Sequence, residues 1–250
     1  SFFLSLVLVF SLHFFPEFRS SGHRFVCCLL SPIICLSLSF VVSSVRTMAS
    51  SSQPQDQALG PWYTTMESRF DRRDADILMD NFDIPSDFEL ILPSPSARPH
   101  KPPRGAFCVF RDQFTTDMRF SIHPFFVEVC NFFGIPLGSL VPNTFRLLCG
   151  VVVLFKIHNI PLRPEVFYYF YYPKQSEPGT YMFQARPGLV FFNKLPSSNK
   201  HWKEFYFYIR LPERAPFLTK WQIGPPTSPE LKRFKTRPDY LHAANMLAGL

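Results

Sequence analysis

A chain of 250 residues with 46% apolar and 17% aromatic side chains holds enough apolar surface for one substantial core, which excludes a wholly disordered polypeptide. A formal charge of +7 falls short of a dedicated nucleic-acid surface, and 25 prolines exclude long uninterrupted helices over much of the length, because proline fixes φ and removes a backbone donor. The six cysteines form no CxxC pair, and Cys108, Cys130 and Cys149 are widely separated in the main body, so a reduced, intracellular setting (nucleus or cytoplasm) is expected.

Two apolar stretches open the chain, Phe2 to Phe15 and Phe25 to Val45, and the second carries no charge and is long enough to span a bilayer. Pro32 interrupts it, serine recurs throughout, and the first methionine is Met48. Phenylalanine, serine, leucine and proline share pyrimidine-rich codons. Residues 1–47 are therefore read as an untranslated region rendered as protein, with translation starting at Met48; a membrane span over 25–45 and a secretory signal are the alternatives.

Residues 48–83 form a polar N-terminal linker, ending in a short helix over Arg69 to Met79. From Ile84 the chain is punctuated by Pro85, Pro93, Pro95, Pro99, Pro102 and Pro103, which predicts an extended wrap. Ala106 to Phe110 reads as a strand and Asp112 to Met118 as a helical turn. Pro124 opens a helix over 124–133, with Phe125, Phe126, Val129, Phe132 and Phe133 at helical spacing and Gly134 as its stop. Asn143 is the expected cap of a second helix running to His158, whose buried stripe is Phe145, Leu148, Val151, Val152 and Phe155. A third begins at Pro164 and is expected to end at Pro173. After a turn at Glu177-Pro178-Gly179, aromatic and β-branched runs at 181–183, 190–192 and 205–209 predict three strands. Beyond Arg210 proline and charge return, so 211–250 reads as a Pro-rich basic tail with a weak helix at Tyr240 to Leu250. The expected fold is α+β: a small helical cluster packed on a short antiparallel sheet over 84–210, with disordered or extended flanks.

Three segments carry a family resemblance. Arg119-Phe120-Ser121-Ile122-His123-Pro124-Phe125, then Gly138-Ser139-Leu140-Val141-Pro142-Asn143-Thr144-Phe145-Arg146, then Leu195-Pro196-Ser197-Ser198-Asn199-Lys200-His201-Trp202-Lys203 resemble, in order and spacing, the plant gypsy-type transposon (transposase-like) domain. The family pattern usually has Gly-Leu and Gly-Trp where this chain has Asp117-Met118 and Thr144-Phe145. What the resemblance implies is a retroelement-derived, uncharacterised domain without assigned catalytic residues. Many relatives continue into a long charged region, so a truncated product is the expectation for a chain stopping at Leu250.

The chemistry points the same way. Asp112, Asp117 and Glu128 lie too close together for the metal-clamping carboxylates of an integrase, and no Tyr-x-Asp-Asp or Asp-Thr/Ser-Gly occurs. His123, His158 and His201 lack partners at ligand spacing and read as helix-end or half-buried side chains, so no metal and no cofactor are expected. No glycine-rich phosphate loop and no Gly-x-Ser-x-Gly elbow is present. The best binding candidate is the loop of Lys194, Asn199, Lys200, Trp202 and Lys203 with Arg210, where cations interleave with aromatics in a pattern that holds phosphates and stacks bases. The competing reading makes Ser197 to Asn199 a polar turn, Trp202 a core anchor and the lysines solvated. A second basic cluster, Lys232, Arg233, Lys235 and Arg237, reads as a solvated tail or a polyanion patch. The resulting expectation is a non-enzymatic structural or protein-interaction module with a protein partner or self-association. Nucleic-acid binding through 194–203 is the alternative, and a membrane is a partner only if the 25–45 segment is genuine.

Overall fold

The computed structural model describes residues 60–190, 192, 200–226 and 237–247, all within the compact unit Asp56–Leu250. The leader 1–47 lies outside the described residues. No helix among the described residues is long and apolar enough to cross a membrane.

The fold is α+β. In chain order it comprises α1 (Trp62–Thr65), α2 (Arg72–Phe82), β1 (Glu89–Ile91), β2 (Ala106–Phe110), α3 (Arg111–Phe114), α4 (Pro124–Phe133) and a 3-10 turn at Leu137–Ser139. There follow α5 (Asn143–Ile157), α6 (Pro164–Phe170), β3 (Tyr171–Glu177), β4 (Thr180–Ala185), a second 3-10 turn (Trp202–Glu204), β5 (Tyr206–Arg210) and α7 (Pro238–Leu247). β5 is the middle strand of an antiparallel sheet ordered β1-β5-β2, and β3 and β4 form a separate antiparallel hairpin.

Local signals explain most boundaries. Asp71 and Asp74 cap α2 reciprocally: the Asp74 N–H donates to Asp71 Oδ1 (2.9 Å) and the Asp71 N–H to Asp74 Oδ2 (3.3 Å). α4 starts at Pro124 and stops at Gly134, which adopts the left-handed conformation (φ 64°). Its cap is His123, whose Nδ1 accepts from the Phe125 N–H at 3.2 Å. Asn143, expected to cap α5, is instead that helix's first residue; Pro142 holds the cap position, and Asn143 Oδ1 accepts from Arg146 Nη1 at 3.0 Å.

Two expectations fail for tertiary reasons. α6 ends at Phe170, three residues before the proline expected to stop it, and Tyr171–Glu177 becomes a strand with Pro173 opposite Phe183. A strand without a neighbour on one side tolerates proline, because no ladder hydrogen bond is required there. Val190 and Phe192 belong to no strand, and Phe191 lies outside the described residues. Phe192 lays its ring against Gly150 of α5, where a Cβ would come within 2.8 Å of it.

The core reaches beyond 84–210. Tyr63, Phe70, Ala75 and Leu78 from the N-terminal side and Phe217, Tyr240, Ala243 and Leu247 from the C-terminal side are all buried. The sequence predicts no helix at α1, whereas α7 (Pro238–Leu247) forms where a weak helix is expected and returns the tail to the core.

β2 and β5 are apolar on both faces, and both are covered. Phe107, Val109, Phe207 and Ile209 meet the helices in the larger core, with Phe207 stacked on Phe70 at 4.3 Å. Cys108, Phe110, Tyr206 and Tyr208 face a second cluster under Trp202 and the N-terminal aromatics. Behind the first face, Phe167 of α6 packs edge-on to Phe125 of α4 and to Phe183 of β4.

One buried amide joins these layers. The Gln113 side chain is fully buried; its Oε1 accepts from the Phe110 N–H (3.0 Å), and its Nε2 donates to the carbonyls of Gly138 (3.0 Å) and Leu140 (2.7 Å). Thr116 Oγ1 adds a bond to Pro142 O at 2.7 Å. These bonds draw the turn at Leu137–Ser139 so close to β2 that a Cβ at Gly138 would lie 2.1 Å from Cys108 O. Replacing Gly138 by Ala therefore pushes backbone against backbone and is expected to lower stability by about 2–3 kcal/mol, as overpacking does. Gly224→Ala, where nothing lies within 4 Å of the added carbon, should stay within about 0.5 kcal/mol of the parent. Urea midpoints at unchanged slope measure the contrast.

Candidate functional site

The candidate loop is only partly gathered by the fold. Lys194 and Asn199 lie outside the described residues, as do Lys232, Arg233 and Lys235 of the second basic cluster; Arg237 of that cluster is exposed. Lys200 is exposed in the turn before the 3-10 segment. Trp202 is 7% exposed and packs edge-to-face on Phe110 with centroids 4.6 Å apart, so it anchors the second cluster. Arg210 sits at the far end of β5, roughly 13 Å along the strand from the start of that element at the strand rise per residue. There it pairs with Glu89 of β1 and donates to Arg104 O. Trp202 and Lys203 thus share a site, and Arg210 belongs to another.

Lys203 is the correction to the expectation of solvated lysines. Its side chain is 18% exposed, with Nζ 2.5 Å from Glu177 Oε1, 4.8 Å from the Trp62 ring centroid and 5.8 Å from that of Trp202. Trp62 arrives from α1 and Glu177 from the end of β3, so three separate elements meet at one ammonium. Glu177 precedes the tight turn in which Gly179 takes φ +87°, a conformation that favours glycine. The indole of Trp221 lies against that glycine, and Trp62 Nε1 donates to Pro178 O at 2.9 Å. Trp62 and Trp221 meet edge-on at 6.0 Å, which brings the chain's three tryptophans into one corner.

The neighbouring cations are also engaged. Arg69 Nη1 lies 2.8 Å from Glu204 Oε2, and the Arg69 N–H donates to Glu204 O. His201, exposed, has Nδ1 2.7 Å from Glu204 Oε1. Arg111 pairs with Asp74 at 3.0 Å while its guanidinium covers the Phe205 ring at 3.7 Å. Asp112 is buried beside Arg111, at 3.6 Å, whereas Asp117 falls in a turn with φ 77° and Glu128 is exposed on α4. His158 ends α5, as its place in the sequence suggests.

Elsewhere three thiols and one imidazole are shifted toward their neutral forms. Burial raises the Cys108 and Cys130 thiols far above their ordinary range and pushes Cys149 up to about 12, with Asp117 adding to the last; such thiols are poor nucleophiles. Burial lowers His123, and Lys156 lowers it further. Among the described residues no group of three or more His, Cys, Asp or Glu side chains is placed to share a metal ion. A cleft of about 10 Å³ between the wrap and β2, lined by Pro99, Pro102, Cys108 and Trp221, has room for a single water.

Sequence reasoning missed Trp62, Glu177 and Trp221 because none lies near the 194–203 loop in the chain. The one available signal was the pair Trp62-Tyr63, out of place in a polar linker. No family model, curated protein or solved structure matches the chain.

The same sheet face carries a test of how the wrap is held. Tyr206 Oη donates to Ala97 O and Tyr208 Oη to Arg98 O, both at 2.8 Å, while Arg98 Nε donates to Thr64 O at 3.0 Å. Burial is the main cause that raises the Tyr206 hydroxyl to about 12, with Cys108 next, and it raises Tyr208 as well. Unfolded tyrosines ionise near pH 10, so the folded state binds more protons above that pH. The stability these hydroxyls provide is present below pH ~10 and is lost as pH rises towards ~12. Urea unfolding of the parent should weaken steeply across that window. The Tyr206→Phe, Tyr208→Phe double variant should start about 1 kcal/mol per hydroxyl lower at pH 8 and show a shallower decline.

Proposed function

We propose that this unit is a non-catalytic, retroelement-derived domain of the plant gypsy-type transposon kind, acting as a structural or protein-interaction module. The observation that carries this reading is the internal pairing of Lys203 and Arg210, two of the cations that the sequence offers to a phosphate backbone, and of the nearby Arg69 and Arg111. Lys203 pairs with Glu177, Arg210 with Glu89, Arg69 with Glu204 and Arg111 with Asp74. A polyanion would have to separate these pairs before gaining contacts of its own. Trp202, the aromatic a base would stack on, is already packed against Phe110.

The motif residues behind the resemblance have structural work where they are described. Gly138 permits the close approach to β2, Arg119 bonds the carbonyls of Phe114 and Met118, His123 caps α4, and Trp202 closes the second cluster. A pattern that encodes a scaffold supports a module whose contribution is shape.

The alternative, nucleic-acid binding through 194–203, is decided by a mobility-shift titration of the full chain with labelled single-stranded RNA and duplex DNA. Phosphate contacts strengthen steeply as salt is diluted. The expected result is no salt-dependent shift between ~150 and ~20 mM salt, with the Lys200→Ala, Lys203→Ala double variant indistinguishable from the parent. A shift at low salt that this variant loses while retaining its fold would replace the interaction-module reading with the nucleic-acid one.

A further inference from the structure

The surroundings of Lys203 are unusual for a primary ammonium. Its three N–H donors meet one hydrogen-bond acceptor among the described residues, Glu177 Oε1, and the faces of Trp62 and Trp202 lie beside it. A primary ammonium is compact, strongly hydrated and in need of acceptors. Two indole faces with one carboxylate suit a weakly hydrated cation better, since ring quadrupoles attract charge without a directed donor.

The walls are held by contacts of their own, independent of the occupant. Trp62 is tied through its indole N–H to Pro178 O (2.9 Å) and meets Trp221 edge-on. Trp202 is buried against Phe110. Lys203's own backbone is pinned in its 3-10 turn, with the Phe205 N–H donating to Trp202 O (3.3 Å) and the Arg69 N–H to Glu204 O (2.7 Å). Only the flexible four-carbon stem has to swing for the space to open, and Glu177, with 48% of its side chain exposed, marks the solvent side.

We propose that Trp62, Trp202 and Glu177 form a binding site for an N-methylated ammonium group, of the kind carried by a methylated lysine of a protein partner, and that Lys203 plugs this site in the free protein. The biological part rests on the reading of the domain as an interaction module; the cage itself does not. Being tethered, the Lys203 ammonium competes at a high effective concentration, so the plugged site binds weakly and the unplugged one shows its intrinsic affinity.

The test titrates tetramethylammonium chloride into the full chain, following tryptophan fluorescence and the indole N–H signals, with sodium chloride at equal ionic strength as the control. Lys203→Ala should bind with a dissociation constant on the order of millimolar, at least about tenfold tighter than the parent. Adding Trp62→Ala should abolish the response, and adding Glu177→Gln should weaken it several-fold. If Lys203→Ala fails to fold, Lys203→Gln carries the same comparison. A folded Lys203 variant that gives no response overturns the cage, and a parent that binds as tightly as the variant overturns the plug. A low-salt nucleic-acid shift, by contrast, would remove the interaction-module reading and leave the tetramethylammonium result standing.

Discussion

A strand that is apolar on both faces has to be covered twice, and β5 imposes that condition on everything around it. Along Tyr206-Phe207-Tyr208-Ile209 the side chains alternate, so Phe207 and Ile209 demand a helical layer while Tyr206 and Tyr208 demand a second cover that also accepts hydroxyl hydrogen bonds. Tyrosine suits the second face because its ring is apolar and its tip is polar. The wrap before β2 meets both needs: its prolines keep it out of regular helix, and its carbonyls at Ala97 and Arg98 accept the tyrosine hydroxyls. Residues outside the expected domain are recruited for the same reason, since Trp62 and Trp221 pack against the cluster that holds Trp202.

Dense aromatic packing does not by itself fix which turn meets which strand, and buried polar groups supply that selectivity. Gln113 satisfies one amide N–H and two carbonyls at once, and any other placement of the turn at Leu137–Ser139 would leave those groups buried without partners. The continuation of that turn reaches the hairpin, where the Val141 N–H donates to Tyr181 O at 2.9 Å. One glutamine therefore indexes the larger sheet against the separate hairpin, and the absence of a side chain at Gly138 is what lets the two backbones come that near.

The corner around Lys203 follows from the same geometry. Trp62 of α1 and Trp202 of the 3-10 turn cover the outer face of the sheet, and where the hairpin end meets them two indoles and a carboxylate surround a single cation. Arg69 with Glu204 and Arg111 with Asp74 are paired as Lys203 is with Glu177, so the corner is distinguished by its aromatic walls and not by its charge.

The sequence by itself determined the elements whose signals are local. Pro124 with Gly134, the spacing of Phe145, Leu148, Val151 and Phe155, the turn at Pro178-Gly179 and the run Ala106 to Phe110 depend on backbone chemistry within a few residues, and each lies where the pattern placed it. Only the tertiary structure decided that Tyr171 to Glu177 leaves the helical state to pair with β4, that Val190 and Phe192 join no strand, and that Trp62 and α7 belong to the core. It also decided that Lys203 is enclosed while Arg210 is far from it. Those outcomes rest on partners distant in the chain: a strand needs a ladder, an aromatic needs a surface, and a lysine is held or solvated according to which carboxylates and rings the fold brings beside it.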